Sequence, residues 1–412
     1  MNKLKPLDQT RSTAANAVNH ATKVNKNFKS ANSIMSRLLD FASSVPDFRR
    51  RSKGNIRHKL SDVIVLMIFA RMSKCVARAE IREYGLRHLD KFRKMGLLRN
   101  GVPSEPTLCR IECGIDDLAF ADKMRLFAES FQKELTKALS VIQIICVDGK
   151  AERGTVQENG RSPDIVSAYC HNTGIILSTE ACEEKSNEIK AVPKLLDKVD
   201  IKGKVVTADA MSMQKAIIDK IREKGGYFLI ELKANQRSLR YGVEDNLRSR
   251  KPAHTYAEGP ELGHGRIETR TYSIYDGLDV IADRQKWDGD LTIVAYKSDT
   301  VNKSSGVATS ENRLYVTNLP AKTPALGAIV RKHWSIESMH WGLDYNLRQD
   351  KIKRKYAKAA RNLDTTQRTV YSIFSIWKGL RKKLADKRKG MAELMRTFAL
   401  SFNKLVRFLS QK

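Results

Sequence analysis

At 412 residues with 41% hydrophobic content, the chain is longer than one core usually organises, and two or three structural units are expected. Its 75 lysines and arginines against 46 aspartates and glutamates give a formal charge of +29. So large a field is self-repelling unless a polyanion neutralises it, so nucleic acid is the first candidate partner and an anionic membrane surface the second.

Apolar runs such as residues 63–70 and 141–147 are too short to span a bilayer, and the polar start Met1-Asn2-Lys3-Leu4-Lys5 carries no leader pattern. A cytoplasmic protein without a membrane span is expected. The six cysteines are scattered, which suits reduced core thiols better than a disulfide or zinc framework. Residues 1–35 are polar and lack hydrophobic periodicity, as in a mobile basic arm. From 36 to 139 the pattern is helical, with Leu60, Ile64, Met67 and Ile68, and later Met124, Phe127, Phe131 and Leu135, at helix spacing. The break Asn100-Gly101-Val102-Pro103-Ser104 divides two helical groups. Basic clusters at Arg49-Arg50-Arg51 and residues 91–94 suit phosphate or simply a solvated face.

At residue 141 the texture changes. Residues 141–147 form a continuous β-rich run, as in a strand buried on both faces, and end in Asp148. Strands at 165–170 and 174–179, a helix at 188–199, a strand at 204–208 ending in Asp209, a helix at 213–224 and a strand at 227–232 follow. Three hairpin strands and then two βαβ units describe a mixed, ribonuclease H-like sheet over residues 140–236. Residues 237–320 read as a β-rich insertion, with strand patterns at 264–270, 291–296 and 313–316. Residues 321–380 return to the core of that sheet as helices, and 381–412 form a basic C-terminal helix. The fold class is therefore α/β, with an all-α region in front and helices behind.

Two aspartates at the carboxyl ends of neighbouring strands place both carboxylates towards one crevice of an open α/β sheet. Each also reads as a loop residue or helix cap, Asp209 most plainly, since Ala-Met-Ser-Met follows it. A shared site for two carboxylates calls for positive charge, which a divalent metal supplies. Glu337, between Trp334 and Trp341 on one helix face, is the candidate third acid, expected to be buried with them. Asp344 and Asp350 are its rivals. His333, Glu337 and His340 also stand at zinc-like spacing, but oxygen donors suit magnesium or manganese better. Lys233, Asn235 and Gln236, after the 227–232 strand, suit DNA backbone or a flanking base, or a plain turn. Arg266 and Arg270 alternate on one strand face and suit phosphate, with Glu268 between them as an ion-pair partner.

Five segments, Val147-Asp148-Gly149-Lys150, residues 206–211, residues 232–236, residues 264–270 and residues 331–337, together with Gly101-Val102-Pro103-Ser104, resemble the DDE transposases of the H-repeat-associated insertion-sequence group. The resemblance runs from about Leu38 to Leu380. It implies that Asp148, Asp209 and Glu337 are a catalytic triad holding two magnesium or manganese ions. It further implies a transposase that cuts and joins double-stranded DNA with terminal inverted repeats, working as a homodimer on DNA, with Arg331 and His333 among the DNA contacts. The chain departs from the group at Ser335, Ser338 and Gln349, and from the wider Tyr-Arg-Glu-Lys pattern at Val330, His333 and Asp344. Those departures keep open a DNA-binding descendant without turnover, and the triad alone also fits a ribonuclease H-like nuclease.

Overall fold

The computed structural model describes the chain except residues 1–31, 51–53, 55, 138, 140, 155–161, 183–187, 278–280, 282–286, 288–289, 324–325 and 412. The basic arm expected at the N-terminus falls almost wholly outside the described residues, as does Arg51.

Helices α1 (Ile34–Ser44), α2 (Leu60–Met72), α3 (Arg78–Arg87), α4 (Leu89–Lys94), α5 (Glu105–Gly114) and α6 (Asp117–Thr136) form the first layer. Every residue of α2 but Ser61 is buried, as expected of a helix that is apolar all round. The sheet follows, with β1 (Ile144–Ala151), β2 (Asp164–Cys170), β3 (Ile175–Ala181), α7 (Glu188–Asp197), β4 (Val205–Ala208), α8 (Lys215–Glu223) and β5 (Tyr227–Leu232). The strand order β3-β2-β1-β4-β5, with β2 antiparallel to β1 and with β1, β4 and β5 parallel, is ribonuclease H-like.

Residues beyond β5 extend this same sheet. After α9 (Arg237–Leu247) come β6 (His254–Gly263), β7 (Arg266–Asp276), β8 (Thr292–Asn302) and β9 (Ala308–Thr317). β9 pairs antiparallel with β5, so a continuous nine-stranded sheet ends in β9-β8-β7-β6. Neither α9 nor β6 is evident in the sequence pattern. β6 is almost wholly exposed and so lacks the apolar alternation that marks a half-buried strand. Leu232 is opposite Leu314, leaving residues 308–313 beyond the carboxyl end of β5. At ~3.3 Å per residue the hairpins overhang that edge by roughly 20 Å.

The chain closes with α10 (Leu326–His333), α11 (Ser335–Leu347), α12 (Ala357–Leu380), α13 (Leu384–Arg388), α14 (Met391–Leu400) and α15 (Phe402–Ser410). The terminal segment is no free basic helix. Phe402 packs 5.7 Å from Phe69 and 5.1 Å from Phe92, which docks α15 on the first helical layer. The basic run after Asp350 is likewise not all surface: Arg354 is buried and joins Arg71 and Arg78 around the buried Glu112. Among the described residues no helix is long and apolar enough to cross a membrane.

Within the helical stretch expected over residues 321–380 the chain breaks at Trp334, and the buried stripe of α11 is Ile336, Met339, Leu343 and Leu347. Trp341 is 61% exposed and stacks on Tyr345 at 4.8 Å. Glu337 is exposed as well. The expectation that Trp341 carries Glu337 into the interior is therefore corrected: aliphatic side chains at i, i+3, i+7 and i+11 take the inward face, leaving both outside. Met339→Ala should cost about 2–5 kcal/mol in denaturant unfolding, through lost transfer energy and a cavity. Trp341→Ala should cost about 1 kcal/mol or less, the value of a surface stacking pair. Equal losses would contradict this orientation.

Candidate active site at the carboxyl edge of the sheet

The parallel register of β1 and β4 opposes Val147 to Ala208, so the next residues, Asp148 and Asp209, stand side by side at one edge. Asp148 lies within β1, opposite Ser167 of β2, and not at the strand's end as the apolar run suggests. The ladder to β2 continues to Ala151 and keeps polar residues in the strand. Asp209 directly follows β4 and precedes the short helical turn Ala210–Ser212, so it occupies a cap position as well as a site position.

The electrostatics show how close the acids are. Asp148 is pushed up to about 7, first by burial and then by the negative charges of Asp209, Glu188 and Glu337, with the Gly149 N–H pulling the other way. Burial also raises Asp209, against the amides of Met211 and Ser212 and the Lys233 ammonium. Glu188, the first residue of α7, is raised by burial and by Asp209 and Asp164. Among the described residues, no lysine or arginine ion-pairs with Asp148, Asp209, Glu188 or Glu337. The nearest cationic type is His340, whose Nδ1 is 3.5 Å from Asp148 Oδ2. Burial, Arg368 and Lys150 lower His340 to about 3, so it is neutral there.

The rival acids have a different environment. Lys150 Nζ is 2.9 Å from Asp344 Oδ1 and 2.8 Å from Asp350 Oδ1, so one ammonium serves both carboxylates. Gln349, where an acid is usual in the resembling group, is buried and donates to Asp364 Oδ1 at 2.6 Å. A second carboxylate at that position would face Asp364 without a proton to share.

The proposed DNA contacts separate into two sets. Lys233 is exposed, with its Nζ 2.9 Å from Glu231, and Arg266 is exposed at the hairpin end. Asn235 Nδ2 donates to Ala210 O at 2.5 Å and Gln236 Nε2 to Met213 O at 2.7 Å, bracing the loop after Asp209. Arg270 is only 5% exposed and is gripped by Glu261 and Glu268. Arg331 lies 3.5 Å from Glu258 and 3.4 Å from Glu261, tying α10 to the hairpin. His333 is held about 4 by burial, and its Nδ1 meets Thr207 Oγ1 at 3.1 Å beneath β4. Arg270, Arg331 and His333 are thus engaged within the fold, whereas Lys233, Asn235 and Arg266 are exposed, Asn235 with its amide nitrogen already committed to Ala210 O.

The acids fit a hard dication by their chemistry: oxygen donors, uncompensated negative charge and partial burial. Among the described residues, no three His, Cys, Asp or Glu side chains already stand at metal-holding distance, the zinc-spaced set included. To hold an ion, the carboxylates would have to draw inward. Sequence reasoning missed Glu188, gave Lys150 no role of its own, and weighed His340 only as a zinc ligand. The available signal was Gly149, since a glycine inside a strand marks the close approach of another group.

The ribonuclease H-like sheet thus carries, at the carboxyl edge of β1 and β4, acids that have no lysine or arginine ion-pair partner among the described residues. The transposase DDE domain family model matches residues 140–370, and its associated N-terminal domain matches residues 39–128. The chain belongs to the DDE transposase-domain family. It is 31% identical over 369 residues to YncI of Escherichia coli O157:H7, provisionally designated a transposase, covering 86% of this chain and 91% of that protein. It is 29% identical over 367 residues to YhhI of Escherichia coli K12, provisionally designated an H repeat-associated transposase, covering 85% and 94%. A piggyBac transposase synaptic complex with hairpin DNA aligns at a TM-score of 0.49 and 11% identity, over 92% of this chain and 81% of that one.

Proposed function

We propose that this protein cuts and joins DNA at the ends of an insertion sequence, with Asp148, Asp209 and Glu337 holding two magnesium or manganese ions. The observation that carries this reading is the charge distribution. In a chain of net charge +29, these acids have no lysine or arginine ion-pair partner among the described residues, while Lys150 ion-pairs with both Asp344 and Asp350. A bound ion pair would stabilise the attacking and leaving oxygens of an in-line displacement at phosphorus.

The chain's own groups do the rest. Asp148 and Asp209 fix the cage because neighbouring parallel strands set their spacing. Asn235 and Gln236 hold the Asp209 loop through its carbonyls. Lys233, beside that loop, supplies positive charge for a phosphate. The hairpin overhang carrying Arg266 extends the same edge and gives DNA a second surface. Double-stranded DNA with terminal inverted repeats is the substrate in this reading, bound by a homodimer.

The test is a labelled duplex carrying the repeats that flank the gene, incubated with the protein and Mg²⁺ or with EDTA. Metal-dependent cleavage at the repeat ends, followed by joining to a target duplex, supports the reading. Cleavage without joining would indicate a nuclease, and repeat-specific binding without cleavage a DNA-binding descendant; either overturns the proposal.

The basic surface is tested separately. Around α13, Lys382, Lys383, Lys387 and Arg388 are exposed, whereas Arg381 lies over Trp377 and bonds Gln411, and Lys389 pairs with Asp386. Replacing the four exposed residues together by alanine should flatten the slope of log K against log salt by up to ~3–4, because fewer counterions are released. An unchanged slope would assign phosphate contact to another face.

A further inference from the structure

We propose that Glu188 is a fourth carboxylate of the metal cage, contributed by the helix that crosses from β3 to β4. The inference rests on the reading of Asp148, Asp209 and Glu337 as metal ligands, and it adds a residue from outside that set.

The geometry begins at Gly149. A methyl group built on its Cα would overlap the Glu188 carboxylate, with both oxygens and the carboxyl carbon in the way. The residue after Asp148 therefore has no side chain, and the vacated space is filled by an acid. Glu188 is the first residue of α7, so its backbone lies at a helix start and its side chain reaches back across β1. There it is close enough to Asp148 and Asp209 for its charge to act on the first and to be acted on by the second.

Such an acid would ordinarily have a basic partner. The sequence has 75 lysines and arginines, and the acids elsewhere in the fold use them: Glu112 meets three arginines, and Asp344 and Asp350 share Lys150. Among the described residues Glu188 has no such partner, and its named neighbours are acids. A half-buried carboxylate beside two others, with no ion-pairing lysine or arginine among the described residues, destabilises the metal-free protein. Four carboxylates match the charge of two dications, whereas three leave the ion-loaded site at about +1 until a phosphate binds.

The test uses the full-length protein and Mn²⁺ as the probe, with binding followed by calorimetry and by electron paramagnetic resonance of free Mn²⁺, and with melting temperature measured in EDTA. Glu188→Gln keeps the shape and removes the charge. It should weaken Mn²⁺ binding by about 10–100-fold, the range seen when a group supporting a metal site is removed. Its melting temperature in EDTA should equal or exceed that of wild type. Glu188→Asp keeps the charge but shortens the reach, and should weaken Mn²⁺ without raising the melting temperature as much.

Asp148→Asn is the control that separates the two readings. If Asp148→Asn loses Mn²⁺ while Glu188→Gln binds like wild type, the fourth ligand is refuted and the three-acid site stands. If Asp148→Asn also binds like wild type, the underlying site is refuted. If Glu188→Gln and Glu188→Asp both melt well below wild type in EDTA, Glu188 is a structural residue and the proposal fails.

Discussion

Asp148→Asn and Asp209→Asn should each lower Mg²⁺-dependent DNA cleavage by roughly 10²–10³-fold or more, the scale on which one lost electrostatic contact to a transition state counts. Each replacement removes a negative charge from a site whose other acids have no lysine or arginine ion-pair partner among the described residues. For Asp148 a second effect has the opposite sign. Its folded pKa, pushed up to about 7, lies above the ordinary 3.8, so its ionisation costs the metal-free protein stability. That cost is absent below the unfolded value, grows as pH rises from there to about 7, and is complete above it. Asp148→Asn should accordingly melt higher than wild type at pH 8 in EDTA and differ little in acid. Cleavage at the wild-type rate, or a melting temperature that falls at pH 8, would show that the acidic edge has been misread.

Glu337→Gln should abolish metal-dependent cleavage while retaining DNA binding, because the substitution preserves shape and hydrogen-bonding capacity but removes the charge. Asp344→Asn and Asp350→Asn should each keep cleavage within about tenfold of wild type, since either leaves Lys150 with one carboxylate partner. The contrast is a rate measurement on one substrate at saturating Mg²⁺, with a shift assay run beside it. Cutting by Glu337→Gln at the wild-type rate, together with loss in either aspartate variant, would transfer the third position to the rival acid. The choice of Glu337 does not depend on burial of the helix face. Its exposure on α11 leaves it free to turn towards the edge where Asp148 already senses its charge.

Much of this architecture is readable from one dimension. β-rich, mostly apolar runs before Asp148 and Asp209 mark strands buried on both faces, and helical spacing separates them, so the order of strands and helices over residues 140–236 follows from pattern alone. The adjacency of the two aspartates follows too, because parallel neighbours in an open sheet bring their carboxyl ends to one crevice. What pattern cannot convey is partnership between distant residues. Whether residues 237–320 form a separate layer or extend the sheet depends on β9 pairing with β5, a contact between Ile230 and Val316 that no local periodicity encodes. An arginine that looks like a phosphate contact can instead be consumed inside the fold: Arg270 pairs with Glu268, the local partner the strand pattern offers, and also with Glu261 of β6, which only the β6–β7 pairing brings to it. The same reason hides Glu188. In the sequence it is one acid among 46, and only the folding of α7 across β1 brings its carboxylate into the space that Gly149 leaves beside Asp148.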